Sequence, residues 1–210
     1  MTAVDTAYRA QIILAHGAGA GSNSDFMKQI CNKITEVSQN KIKVILFDFP
    51  YMQLIQQTGK KRPPNKMPVL SQSFIEQMNR VDANLPLFIG GKSMGARVAL
   101  QACLDAKMPV NLLGYIALGY PFHPVGKPEK LRLALLNSVD LPGLIVQGER
   151  DTFGKRAEVD TYQINDNYQF NWIATGDHSL KPLKASGFTQ LQMIETAANS
   201  IKEFVDAKLI

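Results

Sequence analysis

The stretch LFIGGKSMG, from Leu87 to Gly95, decides the fold because it fits two motifs that belong to different proteins. Gly91, Lys92 and Ser93 match the end of a phosphate-binding loop, G-x-x-x-x-G-K-[ST]. Gly91, Ser93 and Gly95 also match G-x-S-x-G, the sharp turn between a strand and a helix that exposes a nucleophilic serine. Each motif predicts a different function.

The phosphate-binding interpretation fails at its first glycine. That position holds Pro86, which has a fixed φ and no N–H to donate to a phosphate. A second glycine-rich stretch, HGAGAGSNS from His16, does not fit the dinucleotide pattern either. Ser22 or Ser24 stands at its third glycine position, depending on the register. Neither stretch therefore indicates a nucleotide site.

The G-x-S-x-G interpretation fits the segments on either side of the motif. PLFIG before it is a short apolar run typical of a strand, and MGARVALQACLDA after it has a helical pattern. The small residues Ala96, Ala99 and Ala102 would let this helix pack closely on a sheet. We therefore expect Ser93 at the carboxyl edge of a sheet, with its hydroxyl exposed.

Similar apolar runs alternate with helical patterns along the chain. Near-continuous apolar runs are typical of strands covered on both faces, so the alternation predicts a parallel α/β sheet between helical layers. The predicted strands are Gln11–Ala15, Ile42–Asp48, Pro86–Gly90, Leu112–Leu118, Leu141–Gln147 and Tyr168–Ala174. The predicted helices are Ser24–Val37, Ser71–Val81, Met94–Ala106, Pro128–Asn137, Arg156–Tyr162 and Thr189–Ala207.

One segment breaks this alternation. TGKKRPPNKMP, from Thr58 to Pro68, combines basic residues with prolines and predicts a surface loop. It is either a solvated connector or a loop that binds a substrate or a partner.

Composition bounds the class of protein. The 210 residues suit one domain, residues 1–210, and 45% hydrophobic and 20% charged residues are ordinary for a globular protein. The net charge of +5 is spread along the chain, so we expect no nucleic-acid partner. Oligomeric state does not follow from the sequence.

The cysteines and the lengths of the apolar runs indicate where in the cell the protein is located. Cys31 and Cys103 lie in helical patterns and are too few for a disulfide framework, which favours free thiols in a reducing compartment. No run reaches the about 18 apolar residues of a membrane span, and no leader pattern begins the chain. We expect a cytoplasmic protein without membrane contact.

A nucleophilic serine needs a base, and the base needs a carboxylate that orients it. In proteins with this turn the chain order is serine, acid, histidine. His178, in ATGDHSLKP after the last predicted strand, is the expected general base. Asp151, in GERDTFG, comes at the right point for the orienting acid, and Glu149 is its rival. Asp177 is too close to His178 in sequence to orient it easily.

Stabilising the oxyanion requires backbone N–H groups. Met94, directly after the nucleophile, supplies the first. The second should come from the turn HGAG, with Ala18 preferred and Gly17 as the rival.

The motifs LAHGAGAG, GGKSMGARVA, QGERDTFG and GDHSLKP, in this order, resemble those of the α/β-hydrolase superfamily from about Ile12 to the C-terminal helix. The chain looks most like small dienelactone-hydrolase-like proteins. With GYPFHPVGKPEKLR, it is especially similar to the group of testis-expressed protein 30 and a related histone-acetyltransferase complex subunit. This resemblance implies the same triad, Ser93, Asp151 and His178.

The chain also departs from these relatives. Dienelactone hydrolases use a cysteine nucleophile where this chain has Ser93, so their lactone substrate is not carried over, and Ala96 replaces a glycine common among relatives. We expect the superfamily's eight strands to be reduced to six, because the usual first antiparallel strands have no room before Ala10. Only Gly119–Asp140 stands where many relatives insert a cap. The resemblance therefore implies a minimal α/β-hydrolase fold, a three-layer α/β/α sandwich with a mostly parallel sheet and no cap domain.

An open site follows from the missing cap. The residues expected to line its pocket are His16, Gly17, Tyr51, Met52, Tyr120, Phe122 and His123. His16 is also expected to shape the turn after the first strand, and His123 either lines the pocket or packs between its neighbours.

The sequence therefore predicts a serine hydrolase that cleaves an ester or thioester of a small soluble acyl compound, without metal or organic cofactor. Acyl transfer to an acceptor other than water would use the same residues. A hydrolase-fold interaction protein without activity is the alternative from another class, because a fold does not fix a function. Lys92 has no role in any of these interpretations.

Overall fold

The computed structural model describes residues 8–209 and contains one six-stranded sheet in which all paired strands run parallel. The strands are β1 (Ala10–Ala15), β2 (Ile42–Phe47), β3 (Leu87–Lys92), β4 (Leu112–Leu118), β5 (Gly143–Gly148) and β6 (Tyr168–Ile173), in the order β2-β1-β3-β4-β5-β6. Each predicted strand overlaps an observed one. The predicted parallel sheet is therefore confirmed.

Helices cover both faces of the sheet. They are α1 (Asp25–Val37), α2 (Pro50–Thr58), α3 (Met67–Met78), α4 (Met94–Asp105), α5 (Leu133–Asn137), α6 (Arg156–Val159) and α7 (Gln190–Lys208), with a 3₁₀ turn at Lys184–Ser186. Helices α1 and α7 bury their apolar residues on one face, and α3 and α4 bury theirs on the other. The expected three-layer architecture is confirmed.

Each strand contributes to both layers of the core. Along β1, Ile12 and Leu14 pack on the α1 and α7 side, whereas Ile13 and Ala15 pack on the α3 and α4 side. Successive side chains of a strand point to opposite faces, and here both faces are covered. This is why the strands read as continuous apolar runs rather than as alternating ones.

The structure corrects three helix predictions. Helix α5 begins at Leu133 rather than Pro128. Helix α2 was not predicted, although Pro50 at its start is a common helix-initiating position. Asn65 Oδ1 accepts a hydrogen bond from the Tyr51 N–H in the first turn of α2. Helix α3 begins at Met67 rather than Ser71, because Pro68 is tolerated in a first turn. The predicted surface loop is consequently limited to residues 59–66, which are mostly exposed.

The connection between β4 and β5 is short. Within residues 8–209, the segment 119–142 holds α5 as its one helix and no cap domain, as expected. No helix of the described chain combines the length and apolar character that a bilayer crossing requires.

The topology creates a crevice at one edge. From β1 the chain continues to β2 on one side, and from β3 it continues to β4 on the other, so the order reverses between β1 and β3. Ala15 and Gly91 pair at the carboxyl ends of these two strands. Ligands of open α/β sheets bind outside such a switch point.

Phe74 of α3 tests the packing of this core. It is fully buried and packs edge-on against Phe47, with ring centroids 5.5 Å apart. We expect Phe74→Ala to lower the free energy of unfolding by about 3–5 kcal/mol in urea denaturation, because it leaves a cavity. The control Phe188→Ala removes a ring that is 53% exposed and should change stability by no more than about 0.5 kcal/mol. Equal losses in the two variants would contradict this assignment of the core.

Candidate active site

Ser93 occupies a strained turn between β3 and α4. Its φ of 52° and ψ of −110° lie outside the regions that residues with a side chain usually adopt. The flanking glycines are required by space. A Cβ would stand 2.4 Å from the Ala15 carbonyl oxygen at Gly91 and 2.5 Å from it at Gly95. The motif G-x-S-x-G thus forms the turn that the sequence predicts.

His178 and Asp151 form a hydrogen-bonded pair. His178 Nδ1 lies 2.7 Å from Asp151 Oδ2, and the aspartate side chain is fully buried. Gln147 Nε2 also donates to Oδ2 at 2.9 Å, and the Phe153 N–H donates to Oδ1 at 2.9 Å. Because an ionised carboxylate only accepts hydrogen bonds, Nδ1 carries the proton of this contact, and in the neutral imidazole Nε2 is then the acceptor.

Backbone contacts hold the loop of Asp151, after β5, against the loop of His178, after β6. Gly148, at the end of β5, lies so close to the loop after β6 that a Cβ would stand 2.3 Å from the Asp177 carbonyl oxygen. The Arg150 N–H donates to the Gly176 carbonyl at 2.9 Å. The Phe153 ring packs on the His178 imidazole, with centroids 4.3 Å apart. The His178 imidazole is therefore held by the Asp151 carboxylate at Nδ1 and by packing against the Phe153 ring.

Ser93 and His178 line the same cavity, whose volume is about 370 Å³. The lining residues are Gly17, Ala18, Gly19, Ala20, Ser24, Phe26, Met27, Lys92, Ser93, Phe153, His178 and Ser179. Within residues 8–209 the Ser93 hydroxyl makes no direct hydrogen bond. Catalytic hydrogen bonds are often long in unliganded enzymes and tighten when substrate binds.

Of the predicted oxyanion donors, Ala18 and its rival Gly17 line this cavity, whereas Met94 follows the lining residue Ser93 and is not itself part of the lining. Met94 is the first residue of α4, and the first N–H groups of a helix have no partner inside the helix. Gly17 and Ala18 line the cavity from the loop after β1. A Cβ at Gly17 would stand 3.8 Å from the Ser93 Cβ, so this loop runs directly beside the serine.

Three predicted pocket residues lie beneath this loop instead of on the cavity wall. His16, Tyr51 and Met52 are buried and do not line the cavity. His16 bonds to the Gly17 carbonyl through Nδ1, at 2.7 Å, and accepts the Phe49 N–H at Nε2, at 3.1 Å. The structure thus agrees that His16 shapes the turn, and corrects its placement in the pocket.

Tyr120, Phe122 and His123 are corrected in the same way. They turn inward, and none lines the cavity. The Tyr120 hydroxyl donates to the Arg132 carbonyl at 2.9 Å, and its ring packs on that of Phe122. His123 Nδ1 lies 2.9 Å from the Pro124 carbonyl oxygen and Nε2 lies 3.4 Å from Glu158. The sequence predicts that these side chains line the pocket, but in the structure they make contacts in the core.

Glu149 and Asp177, the other carboxylates near Asp151 and His178 in sequence, make different contacts. Glu149 accepts the Thr175 N–H at 3.0 Å and pairs with Arg156 at 3.3 Å. Asp177 accepts the N–H groups of Ser179 and Lys181, at 2.8 Å and 3.0 Å, and so closes the turn that carries His178.

Lys92 is a buried cation behind the histidine. Its side chain is 8% exposed, and its Nζ donates to the His178 carbonyl at 2.5 Å and lies 5.6 Å from the centre of the Phe26 ring. Burial lowers the pKa of Lys92 to about 8, and the charges of Asp151 and Asp177 partly oppose that shift. Lys92 therefore links the strand before Ser93 to the loop of His178.

Sequence reasoning missed several residues around this site. Phe26 and Met27 of α1 and Phe153 supply most of the bulky apolar wall. Gln147, which orients Asp151, was detectable as a polar side chain inside an apolar strand. Across the described part of the chain, no cluster of three or more His, Cys, Asp or Glu side chains is arranged to hold a metal ion.

In the α/β hydrolases the serine turn comes first along the chain, the loop of the acid second and the loop of the histidine last. This chain has the same order, so its fold and its site define that class. The sequence supports this classification. The family model described as "Alpha/beta hydrolase domain" matches residues 8–206, and the chain belongs to that family. A search of curated proteins finds no significant match.

Solved structures share the fold at low identity. A dienelactone hydrolase from Anabaena variabilis has a TM-score of 0.64 and 16% identity, over 91% of this chain and 85% of that one. A serine hydrolase without lid from Xanthomonas campestris gives 0.64 and 14%, over 94% and 83%. An esterase from Pyrococcus furiosus gives 0.66 and 16%, over 98% and 85%.

The buried lysine makes stability depend on pH. Between pH 8 and 10.5 the unfolded chain keeps the Lys92 proton that the folded protein loses, so unfolding takes up a proton and stability rises with pH. We expect the stability of wild type relative to Lys92→Met to increase by about 1 kcal/mol or more over this range, measured by urea denaturation. The control Lys181→Met removes an exposed lysine from the His178 loop and should show no such trend. A constant difference between wild type and Lys92→Met would contradict the burial of this charge.

Proposed function

We propose that this protein is a serine hydrolase that cleaves a carboxylic ester or thioester of a small acyl compound, with Ser93, His178 and Asp151 as its catalytic triad. One observation carries the proposal. The strained Ser93 turn and the hydrogen-bonded Asp151–His178 pair open on the same cavity, 370 Å³ in volume. Such a serine, with a base and an orienting acid, is the arrangement that acyl transfer requires.

In this mechanism His178 Nε2 takes the proton of the Ser93 hydroxyl as Oγ attacks the substrate carbonyl. Asp151 stabilises the imidazolium that forms. The N–H groups of Met94 and Ala18 bind the oxyanion of the tetrahedral intermediate. His178 then returns the proton to the leaving alcohol or thiol as the carbon–oxygen or carbon–sulfur bond breaks.

The second half of the reaction releases the acyl group. His178 takes a proton from water, whose oxygen attacks the acyl-enzyme carbonyl, and the acid leaves as the proton returns to Ser93 Oγ. The residues present supply every proton transfer in this scheme. No metal ion or organic cofactor takes part in it.

The cavity suggests the kind of acyl group. Its bulky walls are apolar, formed by Phe26, Met27 and Phe153, and no cap domain covers it within the part of the chain that the structure describes. An uncharged acyl chain or a small aromatic acyl group matches this lining. The esterase and the dienelactone hydrolase with the same fold support ester cleavage. We extend the proposal to kinship with the testis-expressed protein 30 group, on the sequence motifs alone, and to a cytoplasmic setting, on the two free cysteines.

The triad can be tested with a fluorophosphonate probe, which reacts with an activated serine. We expect wild type to be labelled and to hydrolyse short acyl esters or thioesters. Ser93→Ala and His178→Ala should lose labelling, and Asp151→Asn should lower kcat by about 10⁴-fold, because the histidine would be held in the wrong tautomer. The control Ser138→Ala changes an exposed serine outside the cavity and should be labelled like wild type.

Failure of wild type to react with the probe and with a panel of short esters and thioesters would overturn the hydrolase proposal. It would favour a hydrolase-fold interaction protein. Labelling that persists in Ser93→Ala would show that another residue is the nucleophile.

A further inference from the structure

The loop after β1 is anchored from below by a tyrosine of α2. The single O–H of Tyr51 is shared between the Gly17 and Ala18 carbonyl oxygens, at 3.2 Å and 2.9 Å, and the side chain is 1% exposed. One buried hydroxyl thus faces two successive carbonyl oxygens. Tyr51 was expected to line the pocket, and its actual position gives it a different relation to the site.

His16 donates to the same loop. Its Nε2 accepts the Phe49 N–H at 3.1 Å, so the ring proton is on Nδ1, which lies 2.7 Å from the Gly17 carbonyl oxygen. Burial lowers the pKa of His16, and this favours the neutral tautomer. Burial also raises the pKa of Tyr51 to about 12, so its hydroxyl keeps its proton at neutral and mildly alkaline pH. The Gly17 carbonyl therefore has two donors on one side.

These bonds determine where an N–H group points. In a trans peptide the C=O of one residue and the N–H of the next point in opposite directions, and no described peptide bond is cis. With the Gly17 carbonyl turned towards Tyr51 and His16, the Ala18 N–H points away from them. Ala18 lines the cavity, whereas Tyr51 and His16 do not. Within residues 8–209 the Ala18 N–H has no hydrogen-bond partner, so it is free to bind a ligand.

We propose that Tyr51, together with His16, is a positioning residue that holds the Gly17–Ala18 peptide with its N–H directed at the oxyanion formed beside Ser93. The inference rests on the proposed function, because it needs a reaction at Ser93. Tyr51 touches no substrate atom. Its hydroxyl acts through the peptide and prevents that peptide from rotating its carbonyl into the cavity.

The test is Tyr51→Phe, which removes one oxygen atom and keeps the buried ring. We expect kcat to fall about tenfold, less than the 10²–10³-fold cost of deleting an oxyanion donor, because the N–H remains but is no longer held. KM should stay within twofold, since the ground-state carbonyl carries little negative charge. A trifluoromethyl ketone, which forms a tetrahedral adduct with the serine, should bind about tenfold more weakly, in parallel with kcat.

The matched control is Tyr168→Phe. Its hydroxyl also donates to a buried carbonyl, that of Leu136 at 2.7 Å, but Tyr168 begins β6 at the opposite edge of the sheet. We expect kcat and inhibitor binding to remain like wild type. His16→Leu removes the other donor to Gly17 and should reproduce the loss of kcat at constant KM, which provides a second variant if Tyr51→Phe does not fold.

Three outcomes would overturn the assignment. An unchanged kcat in a folded Tyr51→Phe, or an equal loss in Tyr168→Phe, would show that Tyr51 only packs, while labelling of wild type at Ser93 would leave the proposed function intact. A wild type that neither reacts with the fluorophosphonate nor hydrolyses esters would overturn the proposed function first, and the role of Tyr51 with it.

Discussion

The close approach of β1 to the turn after β3 is the constraint on which the site depends. The Ala15 carbonyl lies where a side chain at Gly91 or Gly95 would have to stand. Only a residue without Cβ fits at either position, and the chain between them must pass through the strained conformation of Ser93. The same approach places the loop after β1 beside the serine. One steric condition thus positions Ser93, the proposed nucleophile, and a candidate oxyanion donor together.

A second close approach assembles the other half of the site. Gly148 allows the loop after β6 to pass directly over the end of β5, which brings His178 to Asp151. The fully buried carboxylate is acceptable because donors surround it, Gln147 and the Phe153 N–H among them. A buried charge with several fixed donors holds its partner in one orientation. The histidine is therefore positioned by the core of the protein rather than by a flexible surface loop.

The sequence was sufficient to predict features that depend on local pattern or on chain order. The strands read as apolar runs because both faces of the sheet are covered, and the turn at Ser93 has its glycines at fixed spacing. Asp151 and His178 could be chosen as the candidate acid and base because each lies in the loop that follows a strand. The walls of the cavity could not, because Tyr120 and Phe122 follow β4 in a position that suits either exposure or core packing. Contacts with Arg132 and Phe170, distant in sequence, decided between them.

Lys92 shows why a sequence motif alone does not determine the role of a residue within it. Its neighbours in sequence suggested phosphate binding, but the sheet directs its ammonium group to a carbonyl 86 residues away. Because Nζ bonds the backbone of His178 rather than the carboxylate of Asp151, Oδ2 remains available to the imidazole. The lysine still lies close enough to Asp151 and Asp177 for their charges to offset part of its burial. A cation placed there holds the histidine loop without competing for the acceptor that the histidine needs.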